Sequence, residues 1–360
     1  MDAPKGTTTS AEYSDLELRL AARNHGMPLE VLQHDVTPIG MHYLLIHYDI
    51  PYVDESEWTL TVDGAVGRRL TLTLDDLRAR PAVTQRVTME CAGNGRTLMR
   101  PRAISQPWIY EAVGTAEWTG TPLAPLIAEA GLDDDAVEVV FTGLDTGVES
   151  GKRQSYARSL TRDEVARDDV IVAYEINGQP LPPQHGYPAR LIVPGWYGMA
   201  SVKWLTSITA VTTPFEGHQQ ARAYRLRQAR EEPGTPLTRI AVRCLMVPPG
   251  VPEFPTRHRF VPRAGWSLTG RAWSGAAPVV RVEVTDAGGA TWQEARVDDP
   301  PAPHAWQRWS CDWRPRGAGE VELWCRATDA DGNTQPLEPA WNLGGYAGNA
   351  VQRVPVTVED

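Results

Sequence analysis

From about Thr238 onward the chain loses helical periodicity and repeats short strand-like runs, and this change constrains the fold more than any other feature. The runs are Arg239–Met246, Trp266–Trp273, Val279–Thr285, Trp306–Trp313, Val321–Thr328 and Val351–Val358. Turns such as Gly288-Gly289 and Asp331-Gly332 separate some of them. Several short, tryptophan-bearing strands in succession predict a β-sandwich of immunoglobulin type. The basic, proline-bearing segment Arg225–Pro236 reads as the boundary, giving one domain over residues 1–235 and a second over 236–360.

The first two thirds mix short helices with strands. Residues 1–12 are small and polar and are expected to be disordered. Asp15 to Arg23 reads as a short amphipathic helix with Leu16 and Leu20 on its apolar side. Trp58–Asp63 alternates as a strand, and Thr73 with Asp76 caps a short helix running to Arg80. Thr121-Pro122 opens a helix that Gly131 ends after Ala130. Val137–Phe141 is a strand, and Thr161 with Glu164 forms a capping box over Arg162–Arg167. Val170–Ile176 is a strand ending in the turn Asn177-Gly178. No regular βαβ repeat is present, so the expected class is α+β rather than a doubly wound sheet.

Composition narrows the function classes. Hydrophobic residues make up 42% and charged residues 22% of 360 residues, which suits a soluble globular chain. No apolar run approaches the ~20 residues of a membrane helix. The formal net charge of −10 argues against general nucleic-acid binding. Thirty prolines and thirteen tryptophans favour a loop-rich protein with aromatic anchors over a helical bundle. The first residues carry no signal-peptide pattern, so a cytoplasmic location is expected, or a periplasmic one if a leader has been removed. Four scattered cysteines, Cys91, Cys244, Cys311 and Cys325, do not form a disulfide framework. Cys311 and Cys325 could lie on neighbouring strands, though reduced core thiols are the expectation.

Two stretches carry chemistry. Arg86 to Glu90 alternates as a strand that stops at Cys91, followed by Ala92-Gly93-Asn94-Gly95 and Arg96. Glycine and asparagine permit a tight loop that presents the sulfur to a pocket, and Arg96 favours a thiolate or an anion. Alone, such a cysteine is more often a buried structural one. The second stretch, Gln184–Lys203, places the strand Arg190–Val193 between loops bearing His185 and Lys203. Cations and backbone N–H groups so arranged suit a phosphate-bearing ligand, but they also suit a hairpin with solvated charges. His42 and His47 are five residues apart and read as pocket or core residues rather than as a metal pair.

Together these segments resemble the sulfite oxidase family of molybdopterin enzymes. Cys91-Ala92-Gly93-Asn94 is similar to the family's Cys-Ala-Gly-Asn loop. Ala173 to Pro182, His185-Gly186-Tyr187-Pro188 with Arg190, and Val202-Lys203-Trp204-Leu205 resemble its cofactor-site segments in order and spacing. Phe141 to Asp145 resembles a further pterin-contacting segment, and Gly217 to Tyr224 the one bearing its active-site tyrosine. Gly270 to Gly275 and Trp341-Asn342-Leu343 resemble its dimerisation domain. The resemblance covers residues 40–358.

The resemblance implies a molybdenum–molybdopterin cofactor with Cys91 as the sole protein ligand to the metal. It implies that Ile46, His47, Asp145, His185, Arg190, Ser201, Val202 and Lys203 hold the pterin and its phosphate. Tyr224 becomes the phenol beside the metal, with Arg96 and Trp108 lining the substrate pocket. It further implies a homodimer. No haem motif is present, so no haem and a separate electron-transfer partner are expected; nucleic acid and membrane are not expected partners.

Sulfite oxidation to sulfate is the family default, and oxygen-atom transfer on another S- or N-oxide type substrate is the alternative. Leu45 and Gly344 stand where the family has arginines. A charge-assisted contact contributes about 1.5–3 kcal/mol, so two losses favour a small anionic substrate less than in the family at large. Arg96 keeps one cation, and Arg100, Arg102, Arg222 and Arg225 are candidates to compensate. A non-catalytic binding protein with an immunoglobulin-like domain would need neither cofactor segment. A cysteine hydrolase would need a positioned base, which the sequence does not offer. One molybdenum per chain is the expected result of metal analysis, and Cys91→Ser should abolish turnover while retaining pterin; a fully active Cys91→Ser enzyme would overturn the assignment.

Overall fold

The computed structural model describes residues 13–360, so the expected disorder of residues 1–12 lies outside the described part. The described chain is rich in sheet and has four α-helices of nine, five, eight and four residues. Each helix starts where capping chemistry or proline permits it. Ser14 caps Asp15–Arg23 through a reciprocal box with Glu17, and Thr73 caps Leu74–Arg78 with Asp76. Pro122 precedes Leu123–Ala130, which Gly131 ends with a φ of 71°. Thr161 caps Arg162–Val165 by accepting from Glu164 N; only this half of the expected box forms.

The first helix corrects one expectation. Leu16 is exposed and Leu20 is only half-buried, so no leucine face packs. The buried residue is Glu17, which is ion-paired with Arg102. Electrostatics rather than apolar burial therefore docks this helix.

Two sheets make up the first part. One orders its strands Leu70–Leu72, Leu60–Gly64, Leu205–Val211, Glu138–Glu149 and Lys152–Thr161, with a parallel pair between the second and third. The other orders Val83–Glu90, Val113–Pro122, Ile171–Ile176 and Gln179–Pro180, and Arg190–Ile192 also pairs with Ile171–Ile176. Asn177 and Gly178 both take positive φ, which makes the tight turn read from their sequence.

Five of these strands, Val113–Pro122, Lys152–Thr161, Leu70–Leu72, Gln179–Pro180 and Leu205–Val211, were not evident in the sequence. The first contains Gly114 and Gly120, which weaken any strand signal. Both glycines answer to close approach. A Cβ on Gly114 would meet the His42 ring at 2.7 Å, and one on Gly120 would meet Val172 O at 2.2 Å.

The second part is a nine-strand hydrogen-bonded path. Its order is Arg243–Met246, Trp266–Trp273, Gln307–Trp313, Gln293–Val297, Val279–Thr285, Gly319–Asp329, Gln352–Glu359, Arg259–Pro262 and Val251–Pro252. The last two and Gln293–Val297 escaped sequence reading, because two contain proline and the third buries only Ala295. Cys311 and Cys325 are not on neighbouring strands; two other strands lie between theirs. Instead Cys325 Sγ lies 3.6 Å from Cys244 O, and all four cysteines are free and buried. The segment read as a boundary folds on itself, with Arg225–Leu226 pairing antiparallel to Thr235–Pro236.

The two parts meet through buried polar groups as well as apolar ones. Thr88 N donates to His304 O at 2.8 Å, and Trp306 N donates to Thr88 Oγ1 at 2.7 Å. Arg243 Nε lies 2.8 Å from Glu90 Oε1, with both side chains 1% exposed. Trp273 Nε1 donates to Glu90 Oε2 at 2.8 Å. Arg243 Nη2 donates to Gly348 O at 2.5 Å and to Asn94 O at 3.3 Å. Removing one member of such a pair strands a buried charge. Arg243→Met should therefore destabilise the protein by about 3–5 kcal/mol, measured by denaturant unfolding, and adding Glu90→Gln should recover part of that loss.

Candidate active site

Strand Val83–Glu90 delivers Cys91 to the floor of a pocket, and the four residues after it turn the chain sharply away. Cys91 N donates to Ala112 O at 2.9 Å, and Asn94 N donates to Cys91 O at 2.9 Å. The Asn94 side chain spans the loop, donating to Glu90 Oε1 at 3.0 Å and accepting from Ala112 N at 3.2 Å. Gly95 has a φ of 86°, and a Cβ there would lie 1.9 Å from Gly348 O. A side chain at this position would thus drive the C-terminal segment off the cysteine loop.

The Cys91 thiol is buried and accepts from Gly93 N at 3.4 Å. Burial raises its pKa, and the Arg96 charge works in the opposite direction. A bound metal cation reverses that balance and favours the thiolate. Among the described residues no histidine hydrogen-bonds the sulfur. Among the described residues no cluster of three or more His, Cys, Asp or Glu could hold a metal ion. A metal here would need most of its ligands from elsewhere.

His47, Asp145, His185, Arg190, Ser201, Lys203 and Tyr224 all line the same pocket as Cys91. They come from six separate segments, so the convergence is a product of the tertiary fold. Arg190 Nη1 donates to His185 O at 3.0 Å and Nη2 to Ser201 O at 2.9 Å. Lys203 Nζ donates to Leu45 O at 2.9 Å and Gln184 O at 3.1 Å. Tyr224, in a left-handed backbone conformation, places its hydroxyl 2.5 Å from His47 Nε2. Burial pushes His47 down to about 3, with Lys203 and Arg23 adding to the shift. Burial also holds the Tyr224 phenol well above its ordinary value. The pair is therefore neutral near pH 7, and the imidazole tautomer decides which of the two donates.

Four predicted site residues do not line this pocket. Ile46 is buried and donates its backbone N–H to Asn24 Oδ1 at 2.7 Å. Val202 belongs to a hydrophobic core, and its carbonyl accepts from Leu191 N at 2.8 Å. Arg96 is buried beside the cysteine loop, but its guanidinium is committed to Gly344 O and Gln106 O, each at 3.1 Å. It also stacks over Tyr346, 5.3 Å from the ring centre. Trp108 is buried and does not line the pocket either. Leu45 lines the pocket, while Gly344 opens onto a different cleft.

Sequence reading missed Tyr43, Met89 and Tyr156 in the wall, and Arg158 beside Tyr224 at 5.8 Å from its ring. Tyr156 and Arg158 lie on the strand that was not recognised. The alternation Tyr156-Ala157-Arg158 was the available signal.

The wall fits a large hydrogen-bonding ligand. Among the described residues Asp145 Oδ1, Arg190 Nε and His42 Nε2 are buried without a partner, and all three residues line the pocket. An unmet buried polar atom costs about 1–3 kcal/mol, so partners supplied from the pocket are favoured. The set combines a soft thiolate with cations and acceptors, which suits a sulfur-bound metal on an anionic organic carrier. Burial pushes Asp145 up to about 6, opposed by Lys203. It lowers Arg190 to about 10 and His185 to about 2.

Residues 47–219 match the family described as "Oxidoreductase molybdopterin binding domain", and residues 241–359 match "Mo-co oxidoreductase dimerisation domain". The chain is 34% identical over 383 residues to the mitochondrial sulfite oxidase of Homo sapiens, covering 97% of this chain and 68% of that protein. It is 34% identical over 347 residues to the corresponding protein of Mus musculus, covering 90% of this chain and 62% of that one. It is 32% identical over 366 residues to the NADH nitrate reductase of Solanum lycopersicum, covering 93% of this chain and 40% of that protein. The crystal structure of the sulfane dehydrogenase SoxCD from Paracoccus pantotrophus superposes with a TM-score of 0.80 at 26% identity, covering 97% of this chain and 89% of that one. The chain thus spans about two thirds or less of the length of these mammalian and plant relatives.

Lys203 yields a test of the wall. Its pKa falls from 10.5 to about 7, first through burial and then through Arg190. A depressed amine pKa means the unfolded chain holds the proton more tightly. The penalty is complete below pH 7 and fades as pH rises to 10.5. In cofactor-free protein Lys203→Met should therefore gain about 2 kcal/mol near pH 6, less than a fully dry ammonium would imply because Lys203 is partly exposed. Thermal melts from pH 6 to 10 should show that gain shrinking; a constant gain would contradict the assignment.

Proposed function

The chain belongs to the sulfite oxidase family of molybdopterin-dependent oxidoreductases, and from that premise we propose that it oxidises a sulfur atom in a substrate less charged than sulfite. The observation that carries this reading is Leu45, an apolar side chain in the wall beside Cys91. Arg96 does not offset it, since backbone carbonyls and Tyr346 engage its guanidinium. Sulfur is favoured over nitrogen because the solved structure that superposes over 97% of the chain and 89% of its own length is a sulfane dehydrogenase.

The residues divide the work by chemistry. When bound, the molybdopterin supplies the oxygen-atom transfer and the change in oxidation state. Cys91 supplies the thiolate that holds the metal. Arg190, Lys203 and His185 offer donors to the pterin and its phosphate, and an anion there would offset the cost of burying the two cations. Asp145 and Ser201 complete that wall. Tyr224 keeps its proton, shares a short hydrogen bond with the neutral His47, and closes one side of the pocket. Low dielectric around these groups strengthens each polar contact with a substrate.

The reading includes residues 1–235 as the cofactor-binding catalytic domain. Residues 236–360 form an immunoglobulin-like sandwich through which two copies pair. A separate electron-transfer partner accepts the electrons. Oxidation of sulfite itself is the second reading, favoured by the charge that Arg96 places near Cys91.

Steady-state kinetics with sulfite and an artificial acceptor test the choice. Wild type should be slow, and Leu45→Arg should raise kcat/KM by about tenfold or more, the worth of one charge-assisted contact. Adding Gly344→Arg is a harsher change, because a Cβ at that position lies 2.3 Å from the Tyr346 ring. Fast sulfite turnover by wild type, lost in Arg96→Gln, would establish the second reading instead.

A further inference from the structure

Of the three residues in the Cys91 pocket wall with an unmet buried atom, Asp145 and Arg190 lie in segments that resemble the family's cofactor site. The third, His42, does not. It follows the 3-10 turn Ile39–Met41, and its backbone N–H donates to Pro38 O at 3.0 Å and to Ile39 O at 3.2 Å. The residue is 1% exposed. Its ring stacks on Tyr43, with centres 5.2 Å apart, and makes T-shaped contacts with Trp118 at 6.0 Å and His185 at 5.6 Å. The ring also rests against Gly114, where any Cβ would clash with it. Packing on all these sides fixes its direction.

The backbone also sets its tautomer. His42 Nδ1 lies 3.1 Å from Tyr43 O, and a carbonyl oxygen only accepts, so Nδ1 carries the proton. Burial lowers the His42 pKa to about 4, with Arg190 and His25 adding to the shift and the Tyr43 carbonyl opposing it. The ring is therefore neutral near pH 7, and Nε2 is a bare acceptor. Arg190 does not satisfy it, since Nη1 donates to His185 O, Nη2 donates to Ser201 O, and Nε is itself unmet among the described residues. The wall thus holds two unmet acceptors, His42 Nε2 and Asp145 Oδ1, and one unmet donor, Arg190 Nε. A ligand that matches them carries donors and acceptors together on one rigid frame. A pterin has that character, with ring and exocyclic N–H groups beside a carbonyl and ring nitrogens.

We propose that His42 is a further cofactor-binding residue of this chain, its Nε2 accepting a hydrogen bond from an N–H of the pterin. The proposal rests on the molybdopterin reading of the pocket and is independent of which substrate is oxidised. It gives His42 a part in holding and orienting the organic carrier of the metal. A ligand that presented a lone pair at this point would be rejected, because two acceptors would then face each other away from water.

Release of the pterin from purified holoenzyme tests this without turnover. The probe is molybdopterin itself, separated from the protein after dilution and read by the fluorescence of its oxidised form. His42→Phe keeps a flat ring and removes the acceptor; circular dichroism confirms that the variant is folded. It should release pterin about tenfold faster than wild type, the worth of one buried hydrogen bond, or be purified already depleted of it. His42→Met, which also lacks a strong acceptor, repeats the test should the phenyl ring not fit. His42→Gln brings an amide oxygen to the place of Nε2 and should hold the pterin nearly as long as wild type does. Equal release from wild type and the two variants without an acceptor would overturn the proposal. So would release from His42→Gln as fast as from His42→Phe, a pattern that reports ring shape rather than the acceptor. A folded wild type that carries no pterin would overturn the molybdopterin reading itself, and this inference with it.

Discussion

The buried contact between Glu90 and Arg243 is the constraint on which the site depends. Glu90 is the last residue of the strand that presents Cys91, and Arg243 begins a strand in the other part of the chain. Each charge is almost fully removed from water, and burial raises the Glu90 pKa against the pull of Arg243, Trp273 and Asn94. Such a pair adds little net stability compared with an apolar one, but its geometry is exacting. Glu90 anchors Asn94, Asn94 spans the cysteine loop, and Arg243 reaches Asn94 O and Gly348 O. The position of the sulfur is therefore set from both parts of the chain at once.

The same principle governs the rest of the pocket. Lys203, Arg190, Asp145, His185 and His47 are all displaced from their ordinary protonation ranges, with burial the largest cause for each. Groups held this way are costly to the folded state and cluster where a ligand is to be bound. Their backbone anchors fix direction: Arg190 is tied to His185 O and Ser201 O, and Lys203 to Leu45 O and Gln184 O. Several glycines bring the supporting segments close enough for this to happen. Gly93 is one, since a Cβ there would lie 2.6 Å from the Arg96 guanidinium.

Charge is distributed unevenly around the metal-ligand candidate. On one side cations face the pocket interior; on the other, Leu45 is apolar and Arg96 is spent on carbonyl oxygens. Beyond Tyr224 and Tyr346 the arginines of the following ribbon gather, among the described residues, without carboxylate partners. Field from such a group is felt by an approaching anion before contact, and it is screened by salt.

Local signals carried much of the fold. Thr73-x-x-Asp76, Pro122 with Gly131, and Asn177-Gly178 marked helix and turn limits that the structure reproduces, because caps and tight turns are short-range chemistry. Trp266–Trp273 and Val279–Thr285 were legible as short runs rich in strand-forming residues between turns. The cysteine loop, His47, Asp145, His185, Arg190, Ser201, Lys203 and Tyr224 could be chosen from sequence through ordered motifs. Tertiary structure alone decided the remainder. Whether Arg96 faces the pocket or two carbonyls depends on Gly344 and Gln106, 248 and 10 residues away. Whether Leu16 or Glu17 is buried depends on Arg102, and whether Cys325 meets Cys311 or Cys244 depends on strand order. Local propensity reports what a segment can form, whereas the direction of a side chain is set by contacts that only the folded chain brings together.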